Sequence, residues 1–261
     1  MNKKRFILRT VFWSAFTAAV YFPTSEVVTI QLYYHKDPAI QAYVEQNLEQ
    51  IIEKQEKKIG ITYPTERPKI EYLLPEEKIY PGILGLYNDR EDTLYLPSGI
   101  LTKPRWNFGD LMTVMFTANR TVEARRVLDH ELAHFYCDKL KEHTLGKDYF
   151  LRGQMLFSEE ELMADKLINE GIAEYVENTM NGEERKPFDF QKWPLVTEQF
   201  ANDTIYRGGY ALVKPIIDQY GEKGIQFLLF NLPTEKELFT PKKYQERVLN
   251  DIAKIKGIEE K

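Results

Sequence analysis

His130-Glu131-Leu132-Ala133-His134 places two imidazoles four positions apart with a carboxylate beside the first. On a helix, residues i and i+4 project from one face, one turn apart. Two histidines so placed converge on a single Zn²⁺ at nitrogen distances of about 2.0–2.1 Å. Glu131 is rotated off the metal axis, where it reaches a water on the metal without displacing it, as a general base must. A catalytic zinc takes a third protein ligand and keeps one position open. Asn169-Glu170-Gly171-Ile172-Ala173-Glu174-Tyr175 supplies carboxylates on a second helical stretch. Met163, Leu167, Glu170 and Glu174 fall on one stripe, so both carboxylates face the first helix. Burying two carboxylates together is costly without a cation and hydrogen-bond donors, which zinc and a ligating histidine provide.

HELAH followed by NEGIAEY resembles the gluzincin zinc metallopeptidases, the clan of the thermolysin-like proteases and the M1 aminopeptidases. The resemblance spans roughly residues 92–230 and implies zinc held by His130, His134 and Glu170, with Glu131 as catalytic base. It also implies that Glu174, four positions after the third ligand, orients the first histidine from the second shell of the metal. Tyr206-Arg207-Gly208-Gly209-Tyr210 resembles the Y-x-x-G segment of the M1 tyrosine helix. Oxyanion stabilisation is thereby assigned to Tyr206, with Tyr210 as the lesser alternative. By the same resemblance the strand at 92–96 lines the cleft and pairs with an extended peptide. Two departures stand out. The interval from His134 to Glu170 is longer than in these relatives, implying an insertion around 143–157. Gly85-Leu86-Tyr87-Asn88 lacks the glutamate of the G-x-M-E-N exopeptidase motif.

The elements that must carry these residues are legible from periodicity. Val122 to Lys141 is an amphipathic helix through Val127, Leu128, Leu132, Phe135 and Leu140. Ser158-Glu159-Glu160-Glu161 is a capping box opening a second helix, which Asn181-Gly182 should end. Helices follow at about 206–220, 222–230 and 241–255. Before them the chain alternates: strands at 27–34, 68–74 and 92–96, and a long helix from Asp37-Pro38 to about Lys58. The expected fold class is therefore α+β: an N-terminal mixed β-sheet lobe with a long helix (27–120), then a mostly helical lobe (121–261), the active-site cleft between them. His35 and His143 read as surface residues and Cys137 as a small buried apolar residue.

Bulk properties restrict the remaining possibilities. With 35 basic and 40 acidic residues and no basic stripe interleaved with aromatics, nucleic acid is excluded as a partner. The single cysteine excludes an internal disulfide framework and a Cys-rich zinc module. At the N-terminus, Lys3-Lys4-Arg5 and Arg9 precede an uncharged run from Thr10 to Phe22. That run has the length of a signal-peptide apolar region and is short for a span of roughly 20 residues. Residues 1–26 are therefore expected to be a signal peptide or N-terminal membrane anchor, with the body exported, either anchored or secreted. A helix or strand packed on the soluble domain is the alternative for this segment. The activity expected is zinc-dependent hydrolysis of a peptide or protein substrate. A non-catalytic, envelope-anchored peptide-binding module and a zinc hydrolase of a non-peptide amide or ester are the alternatives.

Overall fold

The computed structural model describes residues 38–73, 85–96, 120–146, 158–190 and 204–259. The expected N-terminal signal or anchor segment, the strand at 27–34, His35 and most of the implied insertion lie outside them. No helix among the described residues is long and apolar enough to cross a membrane.

The first element, α1 (Pro38–Ile59), buries Ile40, Val44, Ile51, Ile52 and Ile59 along one side and carries Lys57 and Lys58 in its last turn, where cations favour the helix dipole. Three short strands follow: β1 (Lys69–Glu71), β2 (Leu86–Asn88) and β3 (Thr93–Tyr95). Their order is β1-β3-β2, with β1 parallel and β2 antiparallel to β3. This corrects the expectation for 92–96. The strand there is central, its backbone paired on both sides and its residues all buried, so it has no free edge for a peptide. Among the described residues the edge nearest the helices belongs to β2, a strand too short for the alternating pattern that reveals longer ones.

Two long helices form the centre of the molecule, α2 (Arg120–Leu145) and α3 (Glu159–Asn181), and they pack on each other and on α1. The α3 start is the expected capping box: Ser158 Oγ accepts the Glu161 N–H while the Glu161 carboxylate accepts the Ser158 N–H. Its end is Gly182 in the left-handed conformation, whose N–H is directed at the Asn178 and Thr179 carbonyls. The next helix does not begin as a regular one at 206. Thr204–Gly208 forms one π-helical turn, and α4 (Gly209–Tyr220) continues from it. Then come α5 (Glu222–Phe230), a short α6 (Glu235–Leu238) and α7 (Pro241–Glu259).

Pro215 interrupts α4 without breaking it. A proline ring removes the N–H that would bond the carbonyl four residues earlier, here Ala211. Gln245 of α7 donates its side-chain amide to the Ala211 carbonyl at 3.3 Å and the Leu212 carbonyl at 2.8 Å. One hydrophobic cluster joins α1, β3 and α2 to α5 and runs on into α7, from Ile40 to Ile252. The chain is thus α+β, mostly helical, with a small mixed sheet.

Candidate metal centre

The α2–α3 pair brings His130, His134 and Glu170 together. The two Nε2 atoms stand 3.2 Å apart. Glu170 Oε2 lies 3.2 Å from His130 Nε2 and 3.5 Å from His134 Nε2. Tetrahedral bonds of about 2.0–2.1 Å would hold donor atoms about 3.3–3.4 Å from one another. Three donors of zinc-binding type therefore form a triangle with the edge lengths of one tetrahedral face. Spacing alone could not give this, because the third corner comes from 36 residues further along the chain on another helix.

Electrostatics within the triangle is strong. Burial alone would push the His130 imidazole down, but hydrogen bonds to Glu170 and Glu177 and the nearby carboxylate charges outweigh it and hold the pKa well above the usual histidine value. Burial would raise Glu170, yet its hydrogen bonds to both histidines keep it far below the ordinary carboxylate range. The group is built to hold positive charge beside an ionised carboxylate.

Glu131 is buried at 8% exposure and faces the sheet. Its Oε2 accepts the Tyr87 backbone N–H at 2.9 Å, so β2 runs directly against the carboxylate. Gly85 permits that approach: a Cβ there would stand 2.4 Å from Val127 Cγ1 and 3.0 Å from Glu131 Oε1. The hairpin is fastened from its other end by Asp92, which adopts φ 49°. Asp92 accepts from Lys139 Nζ of α2 at 2.7 Å and from the Tyr87 hydroxyl at 3.0 Å. Burial raises the Glu131 carboxyl above its usual pKa, with the histidine charges and the Tyr87 N–H pulling the other way.

The carboxylate expected to orient His130 was Glu174. The structure gives that contact to Glu177, whose Oε2 lies 3.3 Å from His130 Nδ1. Arg126 in turn holds Glu177 Oε1 through Nη2 at 2.8 Å and Nε at 3.0 Å. Glu174 turns to Arg185, which donates Nη2 to its Oε2 at 2.7 Å, and to Asn178 at 3.1 Å. Glu174 does remain near: one ligand atom each from His130, Glu174 and Glu177 lie within 4.8 Å of one another. With an arginine on each carboxylate, that second cluster is balanced in charge without an ion. The signal for Glu177 was present in the chain, since Glu170, Glu174 and Glu177 follow i, i+4, i+7 spacing and Arg126 precedes His130 by four.

Tyr206 arrives on the π-helical turn, its ring centroid 6.1 Å from that of His130. Burial, together with the Glu170, Glu131 and Glu174 charges, pushes its phenol well above the usual tyrosine pKa. Tyr210 faces another way, with its ring 6.4 Å from that of Tyr175. Cys137 is fully buried and His143 exposed. No family model matches the chain, and neither does a curated protein or a solved structure.

Proposed function

We propose that this chain is a zinc-dependent peptidase of the gluzincin type, holding its metal with His130, His134 and Glu170. The observation that carries the reading is the triangle of donor atoms at 3.2, 3.2 and 3.5 Å beside a buried carboxylate, Glu131. His130, His134 and Glu170 would hold a zinc that, when bound, would act as a Lewis acid on a water and on the substrate carbonyl. Glu131 takes the proton of the attacking water and passes it to the leaving amine. Its burial and the Tyr87 N–H on its Oε2 hold the carboxylate in one place beside the donor triangle. The Tyr206 hydroxyl, protonated at neutral pH as any tyrosine is, donates to the negative charge growing on the carbonyl oxygen. Glu177 accepts from His130 Nδ1 and so fixes the tautomer that leaves Nε2 free to ligate.

An extended peptide or protein segment lies between the sheet side and the helical side of the site, close to Glu131. The basic, then apolar N-terminus directs the catalytic body outside the membrane. The test is cleavage of a mixed peptide library by purified protein, before chelation, after it, and after zinc is restored. Cleavage lost with the metal and regained with it is expected. Peptide binding without cleavage by zinc-loaded protein would favour a binding module, and turnover confined to non-peptide esters or amides would move the substrate class.

A further inference from the structure

Gly171 and Gly209 meet backbone to backbone where α3 and α4 cross. A Cβ on Gly171 would stand 2.6 Å from the Gly209 carbonyl carbon and 2.7 Å from its oxygen. One on Gly209 would stand 2.6 Å from the Leu167 carbonyl oxygen and 3.0 Å from Gly171 Cα. Neither glycine has a positive φ, so the position demands space and not an unusual conformation. The opposing atoms are helix backbone and cannot rotate away. Restoring a normal carbon contact of about 3.5–4.0 Å requires the helices to part by roughly 1 Å. The contact falls one residue after Glu170 and three after Tyr206, the two groups that approach the metal centre from these helices.

We propose that the Gly171–Gly209 contact sets the distance of the Tyr206 hydroxyl from the His130–His134–Glu170 group, which makes Gly209 a positioning residue for the oxyanion donor. This rests on the peptidase reading. A shift of about 1 Å at a reacting centre costs on the order of 10²-fold in rate. Gly209→Ala should therefore lower kcat about 10²-fold with KM little changed. In a Tyr206→Phe background it should cost no more than about twofold further, because the hydroxyl it misplaces is already gone. Gly224→Ala is the control. A Cβ there would crowd α4 from the α5 side, 2.9 Å from the carbonyl oxygen of Ile216, a full ten residues beyond Tyr206, so it should lower stability and cost kcat far less than Gly209→Ala.

A second readout does not depend on turnover. In fluorotyrosine-labelled protein loaded with Co²⁺, the Tyr206 fluorine line, identified by its loss in Tyr206→Phe, is broadened by the paramagnetic ion, and Gly209→Ala or Gly171→Ala should weaken that broadening. If wild type cleaves nothing but the line responds, the positioning stands and the peptidase reading falls. If Co²⁺ does not broaden the wild-type line, the metal centre falls and the proposal with it. Unchanged broadening in a folded Gly209→Ala protein, or an equal rate cost with and without the Tyr206 hydroxyl, would overturn the proposal. Failure of both glycine variants to fold beside a folded Gly224→Ala would also overturn it, assigning the contact to stability alone.

Discussion

At Glu131 and Glu177, two carboxylates near one histidine face different chemistry. Glu131 is held by a backbone N–H of β2, whereas Glu177 sits between His130 Nδ1 and Arg126. Glu131→Gln keeps the shape and the Tyr87 contact but removes the proton acceptor. Peptide turnover should fall by about 10²–10⁴-fold while zinc stoichiometry is retained. An active Glu131→Gln enzyme would remove the general-base role. Glu177→Gln should act in the opposite compartment, weakening zinc affinity about 10–100-fold through the loosened His130 ring. Glu174→Gln should leave zinc affinity nearer wild type, since its carboxylate is paired with Arg185 and not with His130. Competition with a chromogenic chelator ranks the three variants, and a larger loss for Glu174→Gln would restore the orienting role to that residue. The convergence of His130 and His134 was legible in the sequence because a helix fixes the relative placement of i and i+4. The choice between Glu174 and Glu177 was not, because it depends on two arginines whose reach only the packed helices define.

At the scale of elements, the long helices were readable almost to their ends. The α3 boundaries follow from Ser158, Glu161 and Gly182, whose local chemistry needs no tertiary partner. The strand β2 and the π-helical turn were not readable, for the same physical reason. Both are short, and both exist through contacts made elsewhere: β2 against Glu131 and β3, the turn before the close crossing of Gly209 on α3. Pro215 likewise gives no sequence hint of Gln245, its compensating donor from α7. Gln245→Ala should destabilise the fold by about 1–2 kcal/mol by stranding helix carbonyls. That cost should shrink in a Pro215→Ala background, where a restored N–H can bond Ala211. Chemical denaturation of the four proteins checks this, and equal costs in both backgrounds would show that Gln245 acts by packing alone.

At the scale of the molecule, one hydrophobic cluster among the described residues ties the sheet to the helices, so β2 is fixed relative to His130, His134 and Glu170. The same body is expected outside the membrane. Protease added to intact cells should degrade the catalytic region, and a protein recovered in the cytosol with residues 1–26 intact would contradict export. That expectation rests on Lys3, Lys4, Arg5, Arg9 and the uncharged run that follows.

The centre on which the rest depends is tested by metal analysis of purified wild type beside His134→Ala and Glu170→Gln. Near one zinc per chain in wild type, lost in His134→Ala and sharply weakened in Glu170→Gln, is the expected result. Full zinc retention in a folded His134→Ala protein would contradict the assignment of the ligands.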